Sequence, residues 1–285
     1  MAVIGIVTDS DASLPADLAE NKGIHVVPIN IHFGDEAFET GVDMDDVALF
    51  ERVDQEKALP TTSAPTPGQF SKAFEAAIAE GAEHIICICV SGEVSGTYNA
   101  ALNARELVDG VEITVVDSRS ISMGQGYMVL EAADAAADGA SVDEILARVE
   151  SMRRRATLYG GLETLKYLAM SGRVGQVAAG MASLLNIKPV LTLQDGKLEM
   201  LEKVRTRRKS WGRMIELVNE QLGGSPAERL AVVHVNALDS ARSFDEKLRS
   251  AVECTSETLF VEFSAGLSVH TGPGMIAVVA VKPEA

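Results

Sequence analysis

The chain has 285 residues, 47% of them hydrophobic, and carries a formal net charge of −16. Its length allows two domains of ordinary size, each with a core of its own. The acidic charge opposes nonspecific attraction to nucleic acid and to anionic membranes. We therefore expect no nucleic-acid partner. Because no stretch approaches the ~18 uninterrupted apolar residues of a membrane helix, we also expect no stable membrane insertion.

The first half alternates apolar runs with amphipathic segments, which predicts a mostly parallel sheet with crossover helices. Strands are predicted at 3–7, 24–33, 84–90 and 111–116, and helices at 67–80, 95–108 and 123–138. Ser141 and Glu144 form a capping-box pattern before a further helix. The first ten residues contain an apolar run without a preceding Lys or Arg, so we interpret them as a strand and not as an export signal, and we expect a cytoplasmic protein.

The second half has a different pattern, which begins near residue 157. Strands are predicted at 189–193, 197–204, 230–236, 258–263 and 275–281, and helices at 175–185 and 206–222. Asp195-Gly196 is a strong hairpin signal and predicts one antiparallel pair. The predicted fold class is therefore α/β with two domains. Residues 1–156 form an N-terminal domain with a mostly parallel sheet and crossover helices, and residues 157–285 form a C-terminal domain with a mixed sheet flanked by helices.

The cysteines and the basic runs have structural interpretations. Cys87 and Cys89 are two apart in an apolar run, so both point to the same face of a strand. A Cys-x-Cys pair is a poor zinc pattern, and we predict buried reduced thiols and no metal. The basic runs at 153–155 and 205–209 are predicted to be solvated helix faces or ends, with a docking site as the alternative.

Hydroxyl and glycine residues gather at the predicted strand-to-helix junctions, where open α/β sheets collect ligands. These clusters lie at 8–10, 60–67 (a proline-bracketed loop), 91–98, 117–120 and 268–274. Hydroxyls and backbone N–H groups at a helix start suit an anionic oxygen group. Ser and Thr also cap helices for purely structural reasons, so each cluster by itself is a weak signal.

Sharper enzyme motifs are incomplete. The sequence lacks a phosphate loop, a full dinucleotide fingerprint and a Gly-x-Ser-x-Gly nucleophile elbow. His270, in a predicted Gly/Pro-rich turn, could act as a general base, donate a hydrogen bond to a bound carboxyl group, or satisfy a local carbonyl. The enzyme alternative is an acyl-ester hydrolase or transferase with Ser95 or Ser268 as nucleophile and His270 as base. We rank it lower, and expect no catalytic residues, because no second acid is fixed by the sequence.

Seven short motifs together resemble the DegV family in their order and spacing. They are Thr8-Asp9-Ser10, 61–66, 91–98, Val116-Asp117-Ser118, Ser171-Gly172-Arg173, Lys188-Pro189 and 268–274. The resemblance implies a two-domain α/β protein that binds one long-chain fatty acid, such as palmitate, in an apolar tunnel and needs no cofactor. By motif, Thr62 and Ser95 look like ligands of the carboxyl group, with His270 close to the same group. The neighbouring candidates are Thr61, Ser63, Gly96 and Thr97.

The same resemblance implies a partner protein. Members are similar to the carrier component of bacterial fatty acid kinase, which presents the acyl carboxyl group to a separate ATP-binding subunit. Arg205 occupies a place similar to the arginine associated with that docking, and Arg207 lies in the same basic run. The implied role is in lipid transport or fatty acid metabolism.

Overall fold

A computed structural model of the chain describes residues 3–173 and 187–284. It divides into two compact units, one formed by Met1–Met44 and Thr62–Arg154 and the other by Asp45–Thr61 and Arg155–Ala285. The grouping of 45–61 with the second half was not predicted. The boundary between residues 156 and 157 stays a prediction about independently folding domains. The helix predicted at 175–185 lies outside the described residues.

The secondary structure alternates helices and strands in both units. Within the described residues the strands are β1 (Ile4–Asp9), β2 (Ile24–Val27), β3 (Asn30–Phe33), β4 (Glu36–Glu39), β5 (Thr61–Ser63), β6 (His84–Cys89), β7 (Glu112–Asp117), β8 (Ala156–Gly161), β9 (Lys188–Gln194), β10 (Lys197–Val204), β11 (Arg229–His234), β12 (Leu259–Glu262) and β13 (Ile276–Val281). Over the same ranges the helices are α1 (Ala16–Asn21), α2 (Asp46–Glu56), α3 (Pro67–Ala79), α4 (Thr97–Arg105), α5 (Ser122–Ala137), α6 (Val142–Arg155), α7 (Lys166–Met170), α8 (Arg207–Leu222), α9 (Leu238–Arg249) and α10 (Ala265–Thr271).

The main sheet of the first unit is parallel throughout, in the order β2-β1-β6-β7. Every residue of β6 is buried, as expected of a central strand in a covered parallel sheet. Helices α3 and α4 contribute Phe70, Phe74 and Ala101 to the core beside it, and α5 also packs against β1 and β6. The Sγ atoms of Cys87 and Cys89 lie 3.6 Å apart and both residues are buried. The predictions of a parallel first sheet and of buried thiols on one face are confirmed.

The single strand predicted at 24–33 is wrong. Strand β2 ends before Pro28, and β3 begins after it in a separate sheet of order β4-β3-β5. Proline has no N–H to donate to a strand ladder, so the chain changes sheets at this point. Residues 61–63, predicted as part of a loop, form the edge strand β5 of the same small sheet.

The second unit contains a mixed sheet in the order β10-β9-β8-β13-β11-β12. Strands β11 and β12 are parallel, and the other neighbours are antiparallel. Asp195 and Gly196 join β9 to β10 with φ values of 50° and 82°, so the hairpin predicted from Asp-Gly is confirmed. The predicted fold class, with a parallel first sheet and a mixed second sheet flanked by helices, is confirmed.

Strand β8 was not predicted, because it follows α6 with no turn signal between them. It ends in Gly160-Gly161, and glycine is depleted in strands. The packing explains the second glycine, since a Cβ at Gly161 would lie 2.5 Å from the Oγ of Ser210 on α8. The missing side chain therefore allows α8 to lie directly on the strand.

The core of the second unit is formed by the mixed sheet with α8 and α9. Its largest fully buried side chain is Phe244 on α9, which is in edge contact with the ring of Trp211 at 5.6 Å between centroids. Helix α2 buries Leu49 and Phe50, and the Phe50 ring meets Tyr167 of α7 edge-on. In the part of the chain that the structure describes, no helix combines the length and the apolar character needed to cross a membrane.

Candidate functional site

The loop that follows β6 turns the chain back at the carboxyl edge of the parallel sheet. The backbone N–H of Ser91 donates to the carbonyl of Ser120 at 2.9 Å, which ties the loop to the segment after β7. The N–H groups of Val94 and Ser95 both donate to the carbonyl of Ser91, at 3.2 and 3.1 Å. This compact turn sets Ser95 immediately before α4.

Ser95 places a hydroxyl at the start of a helix. Its Oγ accepts from the backbone N–H of Thr97 at 3.3 Å and lies 2.8 Å from the Thr97 Oγ1. Gly96 is the N-cap of α4 and supplies no side-chain cap. The helix start and its hydroxyls therefore favour an anionic oxygen group, because the first N–H groups and the helix dipole both attract negative charge.

Thr62 lies in the middle of β5, where alternation separates it from its neighbours. Thr61 and Ser63 are exposed while Thr62 is half-buried, so the two neighbours face the opposite side of the strand. The Ser63 Oγ lies 2.8 Å from the Nε2 of His32. Of the three hydroxyl residues, Thr62 is the one turned toward the protein, in keeping with the role that the family resemblance gives it.

The structure brings the strand of Thr62 and the loop of Ser95 together within the first unit. A Cβ at Gly96 would lie 3.8 Å from the Cβ of Ala64, which follows β5. The carbonyl of Ala64 accepts from the Nδ2 of Asn30 at 3.4 Å. Two hydroxyl-bearing segments that are more than 30 residues apart in the sequence thus lie side by side.

The segment after β5 is held by a capping box that was not predicted from the sequence. The Thr66 Oγ1 accepts from the Gln69 N–H at 3.2 Å, and the Gln69 Oε1 accepts from the Thr66 N–H at 2.9 Å. The Gln69 Nε2 also donates to the Oδ1 of Asn30 at 3.2 Å. The signal was present, because Thr-x-x-Gln before an apolar helix is a capping-box pattern.

His270 belongs to the second unit and lies in the last turn of α10, not in the predicted Gly/Pro-rich turn. Burial, together with the positive charge of Arg173, lowers the pKa of His270 to about 4. The imidazole is therefore neutral at pH 7 and can donate one N–H. It cannot supply a positive charge to an anion at that pH.

Ser268 is poorly placed for nucleophilic catalysis. It is fully buried, and its Oγ lies 3.5 Å from the carbonyl of Phe263. On a helix, residues two apart do not face each other, so Ser268 and His270 of α10 do not form a nucleophile and base pair. The geometry of this helix gives the hydrolase alternative no support.

The two arginines predicted for docking differ in their surroundings. Arg205 is exposed in the segment between β10 and α8. The Nε of Arg207 lies 2.7 Å from the Oε1 of Glu163, and Lys188 pairs with the same carboxylate. Burial alone would raise the pKa of Glu163, but the two cations outweigh it and lower the pKa. Arg207 is thus part of an ion-pair network at the surface of the second unit, as is Lys188 of the Lys188-Pro189 motif.

The described ranges contain no group of three or more His, Cys, Asp or Glu residues arranged to hold a metal ion. Cys254 is the third free cysteine and lies apart, partly buried near the Ser256 hydroxyl.

Comparison with known proteins extends over almost the whole chain. The family model described as "Uncharacterised protein, DegV family" matches residues 3–283. A DegV domain-containing protein of Streptomyces coelicolor is 36% identical over 276 residues, which cover 97% of each chain. A DegV family protein from Thermus thermophilus, described for its fatty acid binding, has a TM-score of 0.89 at 31% identity, covering 98% of this chain and 99% of its own. A stearic acid-binding protein from Eubacterium ventriosum has a TM-score of 0.89 at 26% identity, covering 99% of both.

Proposed function

Because this chain belongs to the DegV family, we propose that it binds one long-chain fatty acid in an apolar tunnel and presents the carboxyl group, as a cytoplasmic carrier without catalysis of its own. The observation that carries the proposal is the packing of the Ser95 helix start beside the strand of Thr62. The fatty acid binding described for the Thermus thermophilus and Eubacterium ventriosum proteins supports the same ligand class.

The carboxyl group is proposed to accept hydrogen bonds from the hydroxyls of Thr62 and Ser95. The start of α4 adds a favourable electrostatic environment for the anion. Each hydrogen bond to an ionised acceptor contributes roughly 1.5 to 3 kcal/mol. Since the chain carries a net charge of −16, it offers a fatty acid anion no long-range attraction, and local donors must supply the recognition.

The alkyl tail supplies most of the affinity in this proposal. Burying a sixteen-carbon chain at ~0.8 kcal/mol per methylene contributes on the order of 10 kcal/mol before ordering costs. That exceeds the contribution of the two hydroxyls. The hydroxyls therefore orient the carboxyl group, and the apolar tunnel retains the ligand. Palmitate is the ligand we propose for tests, and the stearic acid bound by the Eubacterium ventriosum protein has the same chemistry.

His270 is proposed as a third donor to the carboxyl group, through the neutral imidazole that its lowered pKa ensures. We further propose that the carboxyl group is presented to the ATP-binding subunit of a fatty acid kinase, with exposed Arg205 in the docking surface. Arg207 is the weaker docking candidate because Glu163 already holds it.

Native mass spectrometry of the purified protein tests the proposal directly. We expect one bound acyl chain per protein, and uptake of one palmitate after the lipid has been removed. Replacing Ser95 by Ala together with Thr62 by Val should weaken palmitate binding by roughly 100-fold or more, as the loss of two hydrogen bonds to an ionised acceptor predicts. Ser256→Ala, which removes a hydroxyl in the second unit, is the control. Protein that contains no lipid and takes up no palmitate would refute the proposed function.

A further inference from the structure

Two aspartates, at the ends of the strands on either side of β6, hold the loop that leads to Ser95. Asp9 ends β1 and Asp117 ends β7, and β6 lies between them in the sheet. Both belong to Asp-Ser motifs that the sequence analysis selected, at 8–10 and 116–118. Neither aspartate has a role in the proposed ligand contacts.

Asp9 uses both carboxylate oxygens on backbone donors. Its Oδ2 accepts from the N–H of Val90 at 2.8 Å, and its Oδ1 accepts from the N–H of Asp11 at 3.0 Å. The second bond caps the short helical turn after β1, and a Ser or Asn would serve for that alone. The first bond joins residues 81 apart in the sequence. It fixes the position at which the chain leaves β6.

Asp117 holds the next part of the same loop by hydrogen bonds to its backbone. Its Oδ1 accepts from the N–H of Gly92 at 3.2 Å and from the N–H of Arg119 at 2.8 Å. A Cβ at Gly92 would lie 3.2 Å from the Oδ2 of Asp117, so glycine allows this close approach. Residues 90 and 92 are thus held from the two sides by carboxylates of different strands.

The held segment controls the position of Ser95. The carbonyl of Ser91, between the two gripped N–H groups, accepts from the N–H of Ser95 at 3.1 Å. The Ser95 hydroxyl in turn accepts from the first N–H of α4. We propose that Asp9 and Asp117 are positioning residues of the carboxyl-binding site, which fix residues 90–92 so that Ser95 and the start of α4 meet the fatty acid. This inference rests on the proposed function.

The surroundings of Asp9 disfavour the ionised form of its carboxyl group. Asp9 is fully buried, and burial raises its pKa to about 6, against the opposing effect of the hydrogen bonds from Val90, Gln125 and Asp11. The titratable groups near it are Cys89 on β6, whose thiol is also affected by the charge of Asp117, and Asp11, whose backbone N–H binds Asp9. Helix α5 contributes the neutral Gln125. No cation is among these groups. Below pH 6 the carboxyl group of Asp9 would be protonated. Its O–H is a hydrogen-bond donor, and it would lie among backbone N–H groups that are also donors.

The test compares Asp9→Asn and Asp117→Asn with Asp134→Asn, which removes a half-exposed carboxylate of the same unit that pairs with Lys22. Palmitate affinity is measured by calorimetry on delipidated protein from pH 5 to pH 8, and hydrogen exchange of the 90–95 amides is measured without ligand. We expect the first two variants to lose roughly 5- to 10-fold in affinity at pH 8, as one weakened hydrogen bond predicts, and to exchange faster at 90–95. Asp134→Asn should change neither.

The pH series separates positioning from a general loss of structure. The affinity ratio between the wild-type protein and Asp9→Asn should shrink toward one at pH 5, where the wild-type carboxyl group is also protonated. Unchanged affinity at pH 8 in both variants, or unchanged amide exchange in both variants, overturns the inference. If Asp9→Asn does not fold, the affinity at pH 8 and the amide exchange of Asp117→Asn test the inference from the other strand. If the wild-type protein takes up no palmitate, the proposed function fails and this role fails with it, while faster exchange would still show that the aspartates hold the loop.

Discussion

At the scale of single residues, the proposed recognition of the carboxyl group uses groups that are neutral. Thr62 and Ser95 offer hydroxyls, and His270 offers an uncharged imidazole because burial and Arg173 lower its pKa to about 4. A neutral donor orients a carboxylate without forming a tight ion pair. This agrees with the proposed role of a carrier that presents its ligand to a partner.

His270→Ala is expected to weaken palmitate binding by roughly 10- to 100-fold, the effect of removing one donor to a charged acceptor. His270→Gln should recover part of the loss because it retains an N–H donor. His25→Ala, which removes a histidine beside Glu80 in the first unit, is the control. Since the imidazole is already neutral above pH 5, the wild-type to His270→Ala affinity ratio should not vary between pH 6 and pH 8. Unchanged affinity in His270→Ala would contradict the donor role.

At the scale of elements, α2 shows how a segment of the first half becomes part of the second unit. Its N-cap Asp45 accepts from the N–H of Ala48 at 2.8 Å, and Leu49 is fully buried. Asp46 is only 2% exposed, and its backbone carbonyl accepts from the Nδ2 of Asn236 at 3.4 Å. Burial raises the pKa of Asp46 to about 7, the Ser268 hydroxyl opposes the rise, and the negative charges of Glu262 and Asp45 add to it.

Asp46→Asn is therefore expected to stabilise the second unit at pH 8. The unfolded chain releases the Asp46 proton near 3.8 and the folded chain near 7, so the stability that this group contributes at low pH is lost as the pH rises through 7. The difference between these two pKa values corresponds to a loss of at most roughly 4 kcal/mol in the free energy of unfolding. The gain from Asp46→Asn should be roughly 2 to 3 kcal/mol larger at pH 8 than at pH 5, where the folded wild type is already protonated.

Urea unfolding followed by Trp211 fluorescence measures this effect, because Trp211 is the chain's one tryptophan and packs against Phe244 in the core of the same unit. Asp239→Asn, which removes an acidic group from the first turn of α9, is the comparison. A gain that is equal at pH 5 and pH 8 would mean that Asp46 is ionised at both values, contrary to the expectation.

At the scale of the whole molecule, the chain has a net charge of −16. Against that acidic background, an exposed arginine is a local positive charge that attracts an acidic surface of a partner. Arg205→Glu is expected to abolish acyl phosphate formation from palmitate and ATP by the kinase subunit, while palmitate binding stays unchanged. The control is Arg154→Glu, which lies in the other basic run beside Glu150 on α6. It should change neither acyl phosphate formation nor palmitate binding. Loss of palmitate binding together with phosphorylation in Arg205→Glu would refute a separate docking role.

Much of the fold could be predicted because the signals are local. Apolar runs predicted β1, β6 and β7, and Asp195-Gly196 predicted the hairpin of β9 and β10. The Ser141–Glu144 capping box is also present at the start of α6. In the candidate site, the family resemblance selected Thr62 and Ser95, and alternation along β5 explains why Thr62 differs from its neighbours.

The sequence by itself determined the class of each strongly patterned element, because strand alternation and turn chemistry depend on residues a few positions apart. Only the tertiary structure decided that 45–61 joins the second unit, that Pro28 separates strands of two sheets, and that Asp9 holds the N–H of Val90. These features depend on which strands become neighbours. That order is set by the burial of surfaces far apart in the chain, and a local pattern does not contain it.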